Sequence, residues 1–116
     1  MSGLTGNLLY GSVDLIILKT LSYGGPRHGL AVLQEIERIS RGGLRLAGNA
    51  LYPALHRLEE KGLVAGEWQV SDKGRRAKFY ALTPAGERRL RRSVKEWLRH
   101  TDTVRALLTY VEGDLS

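Results

Sequence analysis

Cysteine is absent from the 116-residue sequence. That excludes a disulfide framework, a thiolate zinc site and a cysteine nucleophile, and it fits a reducing, cytoplasmic setting. Long apolar runs are missing too. The longest aliphatic stretches have four residues, such as Leu15-Ile16-Ile17-Leu18, against about 20 for a membrane span. No Lys or Arg precedes Lys19, so the basic start of a secretory signal is not expected. Histidine is sparse. His28, His56 and His100 stand without a nucleophile motif, a phosphate loop or a carboxylate pair, and no enzyme activity is expected. His56/Glu60 and Glu96/His100 have the spacing of metal ligands on a helix, but two such residues are ordinarily a surface pair. No metal and no cofactor are expected.

What remains is an ordinary globular composition, 42% hydrophobic and 26% charged, at the size of a single domain. The net charge is +6, and it is unevenly placed. Residues 72–95 hold nine basic side chains (Lys73, Arg75, Arg76, Lys78, Arg88, Arg89, Arg91, Arg92 and Lys95) against Asp72 and Glu87. A basic block on a small domain points to an anionic partner, nucleic acid first. The plainer alternative is a solvated Arg-rich helix face.

Apolar periodicity divides the chain into elements. Ser12 is placed to cap a first helix through Leu21, with Asp14 in its first turn and Gly24-Gly25-Pro26 as its stop. A second helix fits His28 to Ile39, with Val32, Leu33, Ile36 and Ile39 inside and Glu35 and Arg38 outside. Leu44-Arg45-Leu46 alternates as one short strand would. A third helix runs from Asn49 to Lys61, its start limited by Pro53 and its buried stripe made of Leu51, Leu55 and Leu58. Gly62 is a left-handed stop, and Leu63 packs back on Leu58. Val64–Val70 and Ala77–Leu82 read as the strands of a β-hairpin around Ser71-Asp72-Lys73-Gly74, with Val64, Trp68 and Val70 on one face. Thr83-Pro84 then caps a last helix of about 28 residues, to Val111.

Three helices followed by a hairpin is the winged helix-turn-helix order, mainly α with a small β-hairpin. In it the third helix enters the major groove and the hairpin tip meets the neighbouring backbone. The DNA-contact candidates are therefore Asn49, Tyr52, Pro53, His56 and Arg57 on the outer face of the third helix, with Lys73, Arg75, Arg76 and Lys78 on the wing. For Tyr52 the alternative is packing at the domain edge. For Arg57 it is a surface pair with Glu60 on the same helix face.

The residues also resemble the PadR family of transcriptional regulators, in its short form with a single C-terminal helix. The matching stretches are Gly11 with Asp14-Leu15-Ile16-Ile17-Leu18, then His28-Gly29, Leu51-Tyr52-Pro53, Arg57-Leu58-Glu59, Gly62-Leu63 and Trp68, and last Arg75 through Thr83 with Gly86. Leu30, where the family often has Tyr, and Ala77, between the wing arginines and Lys78, depart from the pattern. The resemblance implies a homodimeric bacterial repressor on an inverted repeat. DNA contacts would come from the third helix and the wing.

Residues 1–83 are accordingly expected to form the DNA-binding domain and 84–116 the dimerisation helix. Leu90, Val94, Trp97, Thr101, Val104, Leu108 and Val111 repeat at alternating steps of four and three, the seam of a coiled coil. Leu15 and Leu18 of the first helix supply a second surface. Trp97, with Val94 and Leu98 as apolar walls, is a candidate stacking site for a small planar aromatic ligand at the dimer centre. Some multidrug-sensing members of the family are similar in carrying a stacking tryptophan on this helix. The alternative there is plain interface packing. The alternative function for the whole chain is a winged-helix adaptor that binds protein only.

Overall fold

The computed structural model describes residues 12–113. Gly11, part of the family resemblance, lies outside them. The described chain forms α1 (Val13–Thr20), β1 (Arg27–His28), α2 (Gly29–Ile39), α3 (Gly48–Glu60), β2 (Val64–Val70), β3 (Arg76–Leu82) and α4 (Pro84–Leu108). The antiparallel sheet has the order β1-β3-β2.

The three short helices enclose the core because their apolar positions recur with the helical period. Ile17 and Leu18 of α1, Val32 and Ile36 of α2, and Leu51, Ala54, Leu55 and Leu58 of α3 are buried together, closed by Leu63, Val64, Tyr80 and Leu90. Ser12 does not cap α1 through its side chain; its backbone is already helical, and its carbonyl accepts from the Ile16 N–H. His28 caps α2 instead, its Nδ1 accepting from the Ala31 N–H at 3.1 Å.

Four local expectations are corrected. Leu44-Arg45-Leu46 is not a strand: the Leu44 N–H is taken by the Ser40 hydroxyl. The third strand is Arg27–His28, which pairs with the open edge of β3 opposite Tyr80 and Phe79. Glu35 is buried, not outside, because Tyr23 and Arg38 surround its carboxylate with donors. Ile39, expected inside, is exposed at the end of α2. Pro53 sits in the second turn of α3, which starts at Gly48.

The junction between α3 and α4 is tightly determined. Gly62 takes a positive φ of 73°. The Leu63 N–H donates to the Leu58 carbonyl and the Gly62 N–H to the Glu59 carbonyl, a Schellman stop. Thr83 Oγ1 then accepts from the Gly86 N–H at 3.0 Å and donates to the Gly62 carbonyl at 2.7 Å. One threonine thus caps α4 and ties its start to the end of α3.

α4 spans about 37 Å. Its first half packs on α1 and β3. From residue 102 to its end every residue is exposed. It ends at Leu108, so Val111 falls beyond the helix rather than on its seam.

Candidate nucleic-acid interface

α3 divides its residues cleanly. With Leu51, Ala54, Leu55 and Leu58 buried inward, Asn49, Tyr52, Pro53, His56 and Arg57 are left exposed on the far side, as the 3.6-residue period requires. Tyr52 is 52% exposed, yet its ring lies against the first turn of α2. A Cβ added at Gly29 would stand 2.6 Å from Tyr52 Oη and Cε1. The glycine after His28 is therefore what allows the Tyr52 ring and hydroxyl to lean on α2.

Arg57 pairs with neither Glu60 nor a free surface. Its Nη2 donates to Asp14 Oδ1 of α1 at 3.0 Å. The partner lies 43 residues away in sequence, so helical spacing could not reveal it.

On the wing, the turn is closed by Ser71 N–H to the Arg75 carbonyl at 2.7 Å and Gly74 N–H to the Ser71 carbonyl at 2.9 Å. Lys73, Arg75 and Arg76 are exposed at or beside it. Lys78 differs: its Nζ donates to Glu59 Oε1 of α3 at 2.8 Å. The Glu59 carboxyl is held below its ordinary range, first by that bond, and the Lys78 ammonium is correspondingly raised. Gly66 makes room for the pair; a Cβ there would run into Lys78 and come within 3.0 Å of Glu59 Oε2. Glu59 thus fixes the wing to α3, a role the linear pattern did not indicate.

Val64, Trp68 and Val70 do share a face, but only Val64 is buried. The strand leaves the core as it climbs. Trp68 is 58% exposed, with the Arg76 guanidinium 5.0 Å from its ring centroid.

Behind this face, the first carboxylate of α2's buried side is a second anchor. Glu35 accepts from Arg38 Nε and Nη2 at 3.0 and 2.7 Å and from the Tyr23 hydroxyl at 2.8 Å. The Arg38 bonds, then Tyr23, lower its pKa to about 2.

The expected dimer residues separate into two groups. Leu18 and Leu90 are buried in the chain's own core, which corrects their placement on an outer surface. Leu15, Val94 and Thr101 are half-buried, while Trp97, Val104 and Leu108 are exposed. Trp97, Val94 and Leu98 line an apolar groove of about 500 Å³ between α1, α2 and α4, together with Leu15, Ile16 and Tyr23. Among the described residues no group of His, Cys, Asp or Glu could hold a metal ion. None of their helices is long and apolar enough to cross a membrane.

Comparison with known proteins agrees with this geometry. The model of the transcriptional regulator PadR-like family matches residues 17–92. Transcriptional regulator Rv3488 of Mycobacterium tuberculosis is 44% identical over 75 residues, which are 62% of this chain and 66% of that protein. The chain thus spans just under two thirds of that relative's length. Among solved structures, a PadR family transcriptional regulator from Eggerthella lenta superposes with a TM-score of 0.78 at 30% identity, covering 95% of this chain and 93% of the other. A transcriptional regulator from Clostridium thermocellum superposes equally well, TM-score 0.78 at 25% identity, covering 85% and 95%. All are transcriptional regulators.

Proposed function

This chain belongs to the PadR-like family of transcriptional regulators, and from that premise we propose that it binds duplex DNA as a homodimer and represses from an inverted repeat. The carrying observation is the single surface formed by the exposed side of α3 and the cationic wing that Glu59 fixes to it. α3 enters the major groove, where Asn49 reads base edges and Tyr52 and His56 hold phosphates. Lys73, Arg75 and Arg76 neutralise the backbone beside it. Lys78 acts mainly by positioning the wing, and Arg57 by positioning α3 against α1. Residues 1–83 act as the DNA-binding unit and 84–116 as the dimerisation unit. The bare half of α4, with Val104 and Leu108 exposed, gains its cover from a second copy.

Selection from a randomised duplex pool tests the reading. Enrichment of an inverted repeat with half-sites about 34–36 Å apart supports it. No enrichment contradicts it and favours a protein-only adaptor.

The apolar groove at Trp97 favours one addition. A small planar aromatic molecule held against Trp97, Val94 and Leu98 would change the spacing of the two α3 helices and release the operator. With Trp68→Phe making Trp97 the only indole, saturable quenching by planar cationic dyes supports this site. No quenching leaves Trp97 as interface packing.

A further inference from the structure

We infer that the groove at Trp97 continues into a cationic half, and that the two halves together take a soluble phosphorylated amphiphile: an apolar group carried on a head with several negative charges. The inference rests on the reading of the Trp97 groove as a ligand site and names the ligand's chemistry. Nine cations crowd residues 72–95, and four of them belong to the wing. Four more, Arg88, Arg91, Arg92 and Lys95, meet Lys19 of α1 around an open groove of about 750 Å³, whose lining includes no residue of α3 or the wing. This groove and the apolar one share Lys19 and Val94, so they meet there. A solvated helix face ordinarily alternates its charges, yet no acidic residue lines the cationic groove. Among the described residues, Arg91 has one distant partner, Glu87 at 4.0 Å, and Arg88, Arg92 and Lys95 form no ion pair. Arg88/Arg92 and Arg91/Lys95 are like charges four positions apart, which destabilises a helix by itself. An anion placed among them removes that repulsion.

The combination selects its occupant. Guanidinium forks match phosphate oxygens bidentately, and five cations around one groove exceed what a single carboxylate would neutralise. Lys19 stands at the junction, its ammonium 5.9 Å from the ring centroid of Tyr23, which lines the apolar half. Ile16, Val94, Trp97 and Leu98 receive the apolar group there. That half is a cleft between α1, α2 and α4 rather than an outward face, so a single soluble molecule enters it and a bilayer does not.

The probe is lauroyl coenzyme A, with coenzyme A alone and laurate alone as its two halves. Trp97 emission in a Trp68→Phe chain is the readout. Lauroyl coenzyme A should quench saturably and bind at least about ten-fold more tightly than either half. Arg91→Gln/Arg92→Gln/Lys95→Gln should weaken it about ten-fold, the loss of three exposed charge contacts, and leave laurate unchanged. All three side chains are exposed, so the core stays intact. Without ligand this variant should bind a selected duplex as tightly as the wild type. A weaker duplex complex would place these cations on DNA and overturn the assignment. So would a variant that keeps wild-type affinity for the probe, or phosphatidate vesicles that quench Trp97 as strongly as the probe does. Quenching by planar dyes without quenching by lauroyl coenzyme A would overturn this inference alone and leave the Trp97 groove reading standing. Quenching by neither would overturn both.

Discussion

Lys78 Nζ of the wing and Glu59 Oε1 of α3 meet at 2.8 Å, with both side chains about a quarter exposed. The pair is local and neutral, and its consequence for DNA binding is specific. Each phosphate contact contributes about 0.9 to the slope of log affinity on log salt. Removing both charges together in Glu59→Gln/Lys78→Gln should leave that slope unchanged, because no phosphate contact is lost. Arg75→Ala should lower it by about 0.9 per site. Fluorescence anisotropy with a selected duplex over a salt series measures both. A slope reduced equally in the two proteins would place Lys78 on the phosphates.

Glu35 contributes to the acid dependence of folding, together with Glu59, whose carboxyl is lowered by Lys78. The Glu35 pKa in the folded chain is about 2, against an ordinary value of 4.5, chiefly because Arg38 donates to its carboxylate. A carboxyl depressed on folding contributes stability that is fully present above its unfolded value. That contribution is lost as pH falls from about 4.5 towards 2. Thermal unfolding between pH 6 and pH 2 should therefore show a falling Tm in the wild type. Glu35→Gln should start lower at pH 6 and lose less across the same interval. Parallel curves would remove Glu35 from the account.

Thr83 and Gly86 fix the angle between α3 and α4. Thr83→Ala removes the cap and the bond to the Gly62 carbonyl; it should cost about 1 kcal/mol, which Thr83→Ser restores. Gly86→Ala is more severe, because the new Cβ would overlap the backbone carbonyl of Leu63 and stand 2.8 Å from Leu82 Cδ1. The Leu63 carbonyl is backbone and cannot swing aside, so about 1–3 kcal/mol of overpacking is expected. Chemical denaturation measures both, and a neutral Gly86→Ala would contradict the packing described.

Self-association should depend on the exposed end of α4. Light scattering at micromolar concentration should give a dimer for the wild type. Val104→Asp/Leu108→Asp, at two exposed positions, should give a folded monomer. A wild-type monomer, or a variant that remains dimeric, would place the interface elsewhere.

How much of this was legible in sequence follows from range. Gly62-Leu63 and Thr83-Pro84 announce their structure because the atoms that satisfy each other lie within a few residues. The stripe Leu51, Leu55, Leu58 is equally local. Arg57–Asp14 and Lys78–Glu59 join residues 43 and 19 positions apart, and no periodicity encodes such partners. Arg27–His28 is too short to signal a strand by itself; only the free edge of β3 makes it one. The helical spacing of the apolar residues puts Glu35 outside, and only the converging donors of Tyr23 and Arg38 reverse that. The site's face was legible as a set of residue types, whereas the contacts that position it were not.

The most direct test of DNA binding by α3 and the wing is a titration of one selected duplex at 50 and 200 mM salt, with the wild type and Arg75→Ala/Arg76→Ala. The account predicts that wild-type affinity falls by about a hundred-fold or more between the two salt concentrations. The variant should bind more weakly at 50 mM and show a shallower dependence. Affinity indifferent to salt, or a variant indistinguishable from the wild type, would contradict it.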